Sequence, residues 1–269
     1  MVFFKAASFW TSAVLLLCLH SGDCSEIIGG KEVKPHSLPY MALLEDSTGD
    51  KVCGGILIQE QWVLTAAHCV NIKKVWLGVH SIKNIKKEKV TQVREVKSQF
   101  PHPNFDNKSA VNDIMLLKLD EKVVLRKEIG VLKLTVSVKD VPAGSICSVS
   151  GWGVTKNKPK TMSNVLQSVN VTVIDRKKCN SPEYYNEKPI ITSKMLCAGS
   201  VGKTREDSCR GDSGGPLVCG GKLQGVVSFG GPKTKPKDPP ECGVKTKPGV
   251  YTLVSKYLDW IKNTIKKLQ

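Results

Sequence analysis

The chain has 269 residues, of which 41% are hydrophobic and 24% are charged. This composition is typical of a packed globular protein and excludes a disordered chain, a collagen and a multi-span membrane protein. The 40 Lys and Arg residues against 24 acidic residues give a formal net charge of +16. Such a charge predicts attraction to polyanions such as sulfated proteoglycans.

Residues 1–24 have the pattern of a secretory signal peptide. Lys5 precedes an apolar core over residues 13–19, and the small residues Gly22 and Cys24 precede the expected cleavage point. The apolar stretch is too short to span a bilayer, and no second long apolar run follows it. We therefore predict a protein that is secreted or stored in a secretory granule, with no membrane span.

The rest of the chain consists of short β-branched and aromatic runs separated by Gly, Pro, Asn and Asp, which favours an all-β barrel or sandwich. In chain order, we predict strands at residues 55–58, 62–65, 114–117, 169–174, 223–227 and 250–253. One helix is predicted at the C-terminus, where apolar residues recur at spacings of three and four. Those residues are Tyr257, Trp260, Ile261, Ile265 and Leu268.

Two segments are notable for their charge and composition. Residues 81–97 hold six basic residues against two acidic ones, and residues 231–241 are rich in proline and lysine. A solvated face is the simplest interpretation of the first segment, and an exposed loop of the second, because prolines cannot donate to a sheet ladder.

Cleavage after Cys24 would remove Cys18 and Cys24 and leave an even number of cysteines. They are Cys53, Cys69, Cys147, Cys179, Cys197, Cys209, Cys219 and Cys242. An even number in an oxidising compartment predicts four disulfides and no free thiol, with the pairing left open. The absence of a Cys-x-x-Cys pair argues against a zinc ribbon or a thioredoxin-type motif.

The strongest local motif is GDSGG at residues 211–215, which places Ser213 in a glycine-rich turn. Backbone N–H groups in such a turn can stabilise an oxyanion. The motif also matches the nucleophile elbow of α/β-hydrolases, in which the acid and the histidine follow the serine. No histidine follows His102 in this chain, which excludes that class.

A catalytic base must therefore lie upstream of Ser213. Four histidines are available after signal removal: His36, His68, His80 and His102. His68 follows small residues and precedes Cys69, a context that would hold its side chain rigidly, whereas we expect the other three on the surface. Asp113 directly precedes an apolar strand, so we expect a partly buried carboxylate that needs a donor such as a histidine N–H.

The order His68, Asp113, Ser213 resembles that of chymotrypsin-type serine proteases, also known as the trypsin family. Six motifs carry the resemblance: IIGG at 27–30, LTAAHC at 64–69, DIMLL at 113–117, GWG at 151–153, DSCRGDSGGP at 207–216 and KPGVYT at 247–252. Within the family, the segments IIGGKEVKPHS, LGVHS and KKCNSPEYYN resemble the granzymes, above all the A and K types.

The resemblance implies an all-β fold of two six-stranded antiparallel β-barrels packed face to face, with the C-terminal α-helix docked on the first barrel. The N-terminal barrel would comprise residues 27–141 with His68 and Asp113. The C-terminal barrel would comprise residues 142–269 with Ser213 and the specificity pocket. The implied disulfides are Cys53–Cys69, Cys147–Cys219, Cys179–Cys197 and Cys209–Cys242.

The resemblance also assigns roles to residues at the site. Ser213 would attack the scissile carbonyl, His68 would transfer the proton and Asp113 would orient the imidazole, while the N–H groups of Gly211 and Ser213 form the oxyanion hole. Asp207 would form the floor of the primary specificity pocket, which implies cleavage after Arg or Lys. Other residues implied to bind substrate are Ser208, Ser228, Gly230 and Gly249.

Activation in the family frees the amino group at the position of Ile27, which then pairs with Asp212. No Arg or Lys precedes Ile27, and cleavage after Cys24 would leave the dipeptide Ser25-Glu26. This dipeptide, residues 25–26, resembles the propeptide of granzymes, which a dipeptidyl peptidase removes.

Three further expectations concern the oligomeric state, metal binding and glycosylation. No additional cysteine lies in residues 100–106, where granzyme A forms its intersubunit disulfide, so a monomer is expected. Residues 77–97 contain only Glu88 and Glu95 as acids, so no calcium and no other metal or cofactor is expected. Asn107 and Asn170 each begin a glycosylation sequon.

The resemblance thus implies a granule-stored, trypsin-like serine endopeptidase that acts on proteins at Arg or Lys. The alternatives are a digestive or plasma trypsin-like protease and a catalytically silent, cationic binding protein on the same fold. Specific nucleic-acid binding is not expected, because no recognition motif accompanies the lysines.

Overall fold

The computed structural model describes residues 29–134, 140–155, 161–200, 205–231 and 241–268. Its helices are α1 (Arg176–Asn180) and α2 (Leu258–Lys267), and a 3₁₀ turn at Val254–Lys256 precedes α2. The strands are β1 (Lys31–Glu32), β2 (Met41–Asp46), β3 (Lys51–Gln59), β4 (Trp62–Thr65), β5 (Ile72–Leu77), β6 (Gln92–Pro101), β7 (Met115–Leu119), β8 (Ile146–Gly151), β9 (Gln167–Ile174), β10 (Met195–Gly199), β11 (Pro216–Cys219), β12 (Lys222–Phe229) and β13 (Gly249–Leu253).

The first six long strands close into a barrel. Its strand order is β2-β3-β4-β7-β6-β5, with antiparallel pairing throughout. Leu57, Leu64 and Leu117 are fully buried in its core. Closure leaves no free sheet edge, which explains how so many short strands form a stable unit.

The second barrel contains β8-β9-β10-β13-β12-β11 and closes through the pairing of β8 with β9. Val149, Val171 and Leu217 pack with Tyr251 in its core. The predicted pair of six-stranded antiparallel barrels is therefore confirmed. The predicted boundary between residues 141 and 142 lies in the connection from β7 to β8 and stays a prediction.

The predicted strands all fall on observed strands. The one difference is at the predicted strand 114–117: β7 begins at Met115, so Ile114 lies just before the strand. The C-terminal helix is also confirmed: Ile261 and Ile265 are buried, and the helix lysines Lys262, Lys266 and Lys267 face solvent.

The two ends of the described chain cross to the opposite halves of the fold. Strand β1 pairs with β9 of the second barrel. Helix α2 packs into the same hydrophobic cluster as the first-barrel core, and the Lys118 Nζ donates to the Leu268 carbonyl at its end. Strand β1 and helix α2 thus each join the two barrels.

Four disulfides stabilise the fold. They join Cys53 to Cys69, Cys147 to Cys219, Cys179 to Cys197 and Cys209 to Cys242. These are the pairs that the family resemblance implies. The first lies beside His68, and the last joins the segment that follows Asp207 to the segment that precedes β13.

One expectation about the histidines is wrong. His80 is buried, and its Nε2 lies 2.8 Å from the Glu32 carboxylate of β1, while His36 and His102 are partly buried. A polar local sequence suggested exposure, but β1 approaches His80 from a distant part of the chain and covers it.

Several sequence predictions concern residues outside the described ranges. They include the signal peptide, the dipeptide at 25–26, the Ile27 amino group and most of the loop at 231–241. Among the described helices, none is both long and apolar enough to cross a membrane.

Candidate active site

His68 and Asp113 come together at one end of the first barrel. The short loop after β4 carries His68, and Asp113 lies just before β7, which pairs with β4. The His68 Nδ1 lies 2.7 Å from the Asp113 Oδ2, and the His68 backbone N–H donates to Oδ1 at 3.0 Å. Two contacts between the same residues fix both the position of the imidazole and its orientation.

The second barrel completes the surroundings of Asp113. The Ser228 Oγ donates to the Asp113 Oδ2 at 2.5 Å, and the Thr252 Oγ1 donates to the Asp113 carbonyl at 2.7 Å. Asp113 is 1% exposed, so its charge depends on these donors rather than on water. The seam between the two barrels therefore holds the carboxylate in place.

Ser213 lies in the tight turn between Cys209 and β11. The Asp212 N–H donates to the Cys209 carbonyl at 3.0 Å, and the Gly214 N–H donates to the Val227 carbonyl at 2.9 Å. The Ser213 carbonyl accepts from the Gly54 N–H of the first barrel at 2.8 Å. Ser213 and His68 line the same cavity, which has a volume of about 310 Å³.

The backbone around Ser213 has the geometry of an anion-binding turn. Gly211 has a φ of +97°, and a Cβ there would lie 2.8 Å from the Met162 Cε and 3.0 Å from the Gly153 Cα. Only glycine combines this conformation with this close approach. Within the described ranges, neither the Gly211 N–H nor the Ser213 N–H has a hydrogen-bond acceptor, so both donors are available to a ligand.

Asp212 is a fully buried carboxylate directly before the serine. Its two oxygens accept from the Gly153 N–H and the Cys209 N–H, each at 2.8 Å. Burial raises the pKa of Asp212 to about 7, and the two N–H donors oppose that rise. No Lys, Arg or His of the described segments forms an ion pair with it.

Asp207 is a second buried acid in the same barrel and is 2% exposed. The Gly243 N–H donates to its Oδ2 at 3.0 Å, but its Oδ1 is buried without a hydrogen-bond partner in the described part of the chain. Burial raises the pKa of Asp207 to about 7, and the negative charge of Asp212 adds to the rise, while the nearby backbone N–H groups of Gly243, Ser208 and Gly249 oppose it. A buried carboxylate oxygen without a donor is costly, and a cation from a ligand would relieve that cost.

Two glycines face each other beside Asp207. A Cβ at Gly230 would lie 3.2 Å from the Gly249 Cα, and a Cβ at Gly249 would lie 3.0 Å from the Asp207 Oδ1. Ser208, Ser228 and Gly230 line the 310 Å³ cavity, whereas Asp207 and Gly249 do not. The structure thus brings the predicted substrate-binding residues together, with the acid behind the cavity wall.

The site offers little to a metal ion. The one group of three His, Cys, Asp or Glu residues in the described ranges that is close enough to share an ion contains Cys53, His68 and Cys69. Cys53 and Cys69 form a disulfide and therefore provide no thiolate ligand. The predicted calcium-poor loop uses its Glu88 carboxylate to accept the His80 and Ser81 N–H groups.

The two glycosylation sequons both lie on the surface. Asn107 is exposed in the loop before β7, and Asn170 is exposed on β9. Their accessibility is compatible with modification, which stays a prediction.

Sequence reasoning missed the residues that support the loop of Asp113. Asn112 has a φ of +60°, and its Oδ1 accepts from the Lys194 Nζ at 2.9 Å and from the Tyr257 hydroxyl at 3.1 Å. These partners come from 82 and 145 residues further along the chain, so no local pattern reveals them. In the sequence, only the position of Asn112 directly before Asp113 indicates that it could support the site.

Comparisons with known proteins agree with this geometry. Residues 27–261 match the family model described as Trypsin. Granzyme A from Bos taurus is 46% identical over 247 residues, covering 90% of this chain and 89% of the relative. Kallikrein-11 from Homo sapiens is 42% identical, covering 94% of this chain and 86% of the relative.

A solved structure of neuropsin, described as a serine protease expressed in the limbic system of mouse brain, has the same fold. It superposes with a TM-score of 0.75 at 37% identity and covers 88% of this chain and 98% of neuropsin. The family match extends across both barrels and includes the segments that carry His68, Asp113 and Ser213. The chain therefore belongs to the trypsin family and is a serine endopeptidase.

Proposed function

We propose that this protease cleaves peptide bonds after lysine or arginine. The observation that carries the proposal is the buried Asp207, whose Oδ1 has no hydrogen-bond partner in the described ranges. A long cationic side chain that reaches Oδ1 along the surface left open by Gly230 and Gly249 would supply the missing partner. A neutral or acidic side chain would leave the carboxylate uncompensated, which is costly in a site shielded from water.

The catalytic steps follow from the positions of three side chains and two amides. Ser213 attacks the scissile carbonyl while His68 accepts its proton, and Asp113 stabilises the imidazolium that forms. The Gly211 and Ser213 N–H groups stabilise the oxyanion of the tetrahedral intermediate. His68 then donates the proton to the leaving amine, and water repeats the sequence on the acyl-enzyme.

We infer that activation removes the dipeptide at residues 25–26 and frees the amino group of Ile27. Two observations support this step. Asp212 is buried without a cation near it in the described segments, and a Cβ at Gly29 would lie 3.2 Å from Glu206, so the start of the described chain lies against the segment that leads to Asp212. Activity should then decline at alkaline pH as the amine loses its proton, from an unperturbed pKa of about 7.7–8.0.

We also propose where the enzyme is stored, its partner in storage and its oligomeric state. The predicted signal peptide, the net charge of +16 and the likeness to a granzyme support a protease that is stored in cytotoxic-cell granules with sulfated proteoglycans. The lack of a cysteine in residues 100–106 supports a monomer. Asn107 and Asn170 are its proposed glycan sites. Size-exclusion chromatography with light scattering tests the monomer, and elution from heparin at rising salt tests the polyanion partner.

Cleavage of matched peptide thioesters tests the specificity directly. The substrates carry Lys, Arg, Phe, Met or Asp before the scissile bond, and the enzyme begins at Ile27. We expect rapid turnover with Lys and Arg, at most slow turnover with Phe and Met, and none with any substrate in a Ser213→Ala control. Turnover with Phe or Met in place of Lys and Arg would contradict the role of Asp207, and no turnover from folded protein would favour the cationic binding protein.

A further inference from the structure

A second cavity lies beside the proposed oxyanion hole. It has a volume of about 640 Å³ and includes Gly211 in its wall. Its remaining walls come from three separate segments, at residues 50–52, 82–83 and 161–164, together with Val154 and Arg210. We call this cavity the leaving-group groove.

The groove is held open by contacts between distant loops. The Asn164 carbonyl accepts the Ile82 N–H at 2.7 Å, and its side-chain oxygen accepts the Lys83 N–H at 2.8 Å. Met162 packs against Gly211 on the same side. These contacts fix the loop that carries Lys83 relative to the turn that carries Ser213.

Arg210 connects the groove to the catalytic cavity. It lines both the 640 Å³ groove and the 310 Å³ cavity that contains His68 and Ser213. Its carbonyl accepts the Val154 N–H at 2.7 Å, which fixes its backbone, while its side chain is exposed. Arg210 therefore borders the path from one cavity to the other.

The charge of the groove is positive. Its charged lining residues are Asp50, Lys51, Lys83 and Arg210. Lys51 is engaged, because its Nζ binds the Glu45 carboxylate. Neither Lys83 nor Arg210 forms an ion pair with any acid of the described ranges, so two cations face the groove against the single exposed carboxylate of Asp50.

The position of the groove identifies the part of a substrate that it would hold. In the proposed reaction, the side chain before the scissile bond points toward Asp207, and the carbonyl oxygen binds at the Gly211 and Ser213 N–H groups. The chain after the scissile bond must then leave on the other side of Gly211. The leaving-group groove is the cavity that includes Gly211 on its wall.

We propose that the leaving-group groove selects substrates with acidic residues shortly after the scissile bond, through Arg210 and Lys83. This inference rests on the proposed cleavage after Lys or Arg and adds a second determinant of specificity to it. A glutamate or aspartate in the second or third position after the scissile bond would lie between the two cations. A lysine in the same position would be repelled by both.

The expected size of the effect follows from the exposure of both cations. An exposed ion pair changes a free energy by only about 0.2–1 kcal/mol, so attraction of a glutamate plus repulsion of a lysine gives roughly a tenfold difference in kcat/KM. Screening shortens the range of this interaction to about 3 Å at 1 M salt, so the preference should disappear there.

Peptides that differ in a single residue test the inference. Each carries Lys before the scissile bond and Glu, Gln or Lys in the second position after it, and kcat/KM is measured by chromatography of the products. Wild-type enzyme should prefer Glu over Lys by about tenfold at low salt. Arg210→Glu and, as a second variant, Lys83→Glu should reduce or reverse that ratio.

Two controls separate the possible outcomes. Lys262→Glu makes the same charge change on an exposed position of α2 and should leave the ratio unchanged. A lysine thioester, which lacks residues after the scissile bond, reports the proposed cleavage by itself. Thioester cleavage with equal rates for the Glu and Lys peptides would overturn this inference alone, whereas an unreactive thioester would overturn both.

Discussion

Asp113 and Asp207 are both buried, at 1% and 2% exposure, but the protein surrounds them differently. Asp113 accepts from the His68 N–H, the His68 Nδ1 and the Ser228 hydroxyl. Asp207 accepts from the Gly243 N–H on one oxygen and has no hydrogen-bond partner in the described ranges on the other. The protein therefore completes the first site itself and leaves the second to be completed by a ligand.

The difference in hydrogen bonding matches the two roles proposed for these carboxylates. A carboxylate that orients a histidine must have the same partners before, during and after the reaction, because its value lies in preorganisation. A carboxylate that selects a cation gains specificity from being incomplete, because only the correct ligand removes the cost of its burial. We therefore expect different responses when the two sites are tested one at a time.

Asp113→Asn should have the largest effect. The substitution keeps the shape of the side chain but favours the wrong imidazole tautomer at His68, and kcat should fall roughly ten-thousand-fold. Steady-state kinetics with a lysine thioester measures the loss. Asp259→Asn, the same change at an exposed position of α2, is the matched control, and a loss below tenfold at Asp113 would contradict the orienting role.

Asp207→Asn should lower kcat/KM for Lys and Arg substrates by roughly a thousandfold, because the bound cation would lose its charged partner in a buried site. The Phe and Met thioesters provide the internal control, since their slow turnover does not depend on the charge. Equal losses with every substrate would mean that Asp207 supports the fold and does not select the substrate.

Binding of a small cation such as benzamidine should weaken below pH 7. Burial raises the pKa of Asp207 to about 7, so its ionised form predominates only above that pH. Because the cation binds the ionised form, the apparent Kd should rise about tenfold per pH unit well below pH 7, or about fiftyfold from pH 7 to pH 5.

Calorimetry on a His68→Ala variant measures this dependence. The variant removes His68, which lines the 310 Å³ cavity, so that the measurement reports on Asp207. An affinity that stays constant between pH 5 and pH 8 would show that the pKa of Asp207 is not raised in solution or that the cation binds elsewhere.

Gly249→Ala should have the smallest of these effects. The new Cβ would lie 2.8 Å from the Tyr251 Oη and 3.0 Å from the Asp207 Oδ1, so it narrows the approach to the acid. We expect kcat/KM for Arg and Lys substrates to fall about tenfold. At Gly130 an added Cβ would meet only ordinary contacts at 3.5 Å, so Gly130→Ala should leave the rate unchanged.

Much of this architecture could be predicted, for reasons that differ between its parts. The strands at 62–65 and 169–174 and helix α2 are local patterns of apolar residues, and the structure has them where the patterns predict. The barrels, and the disulfides among eight cysteines, follow from the resemblance, because no local pattern determines which distant segments meet.

The remaining features depend on contacts between distant segments. Ser228 was expected only as part of the substrate-binding surface, yet its hydroxyl donates to Asp113 across 115 residues of sequence. His80 was expected on the surface, yet Glu32 from β1 lies against it. In both cases, the polar partner comes from a segment whose approach is determined only by the packing of the two barrels.

The position of α2 on the first barrel has a consequence for biosynthesis. All strands of that barrel are complete by Leu119, but the helix that covers part of its core ends at Lys267. A ribosome adds roughly 5–20 residues per second, so the uncovered apolar surface waits on the order of ten seconds for its cover. During that interval the nascent chain exposes an apolar surface that molecular chaperones can bind, and this surface is covered only when α2 forms.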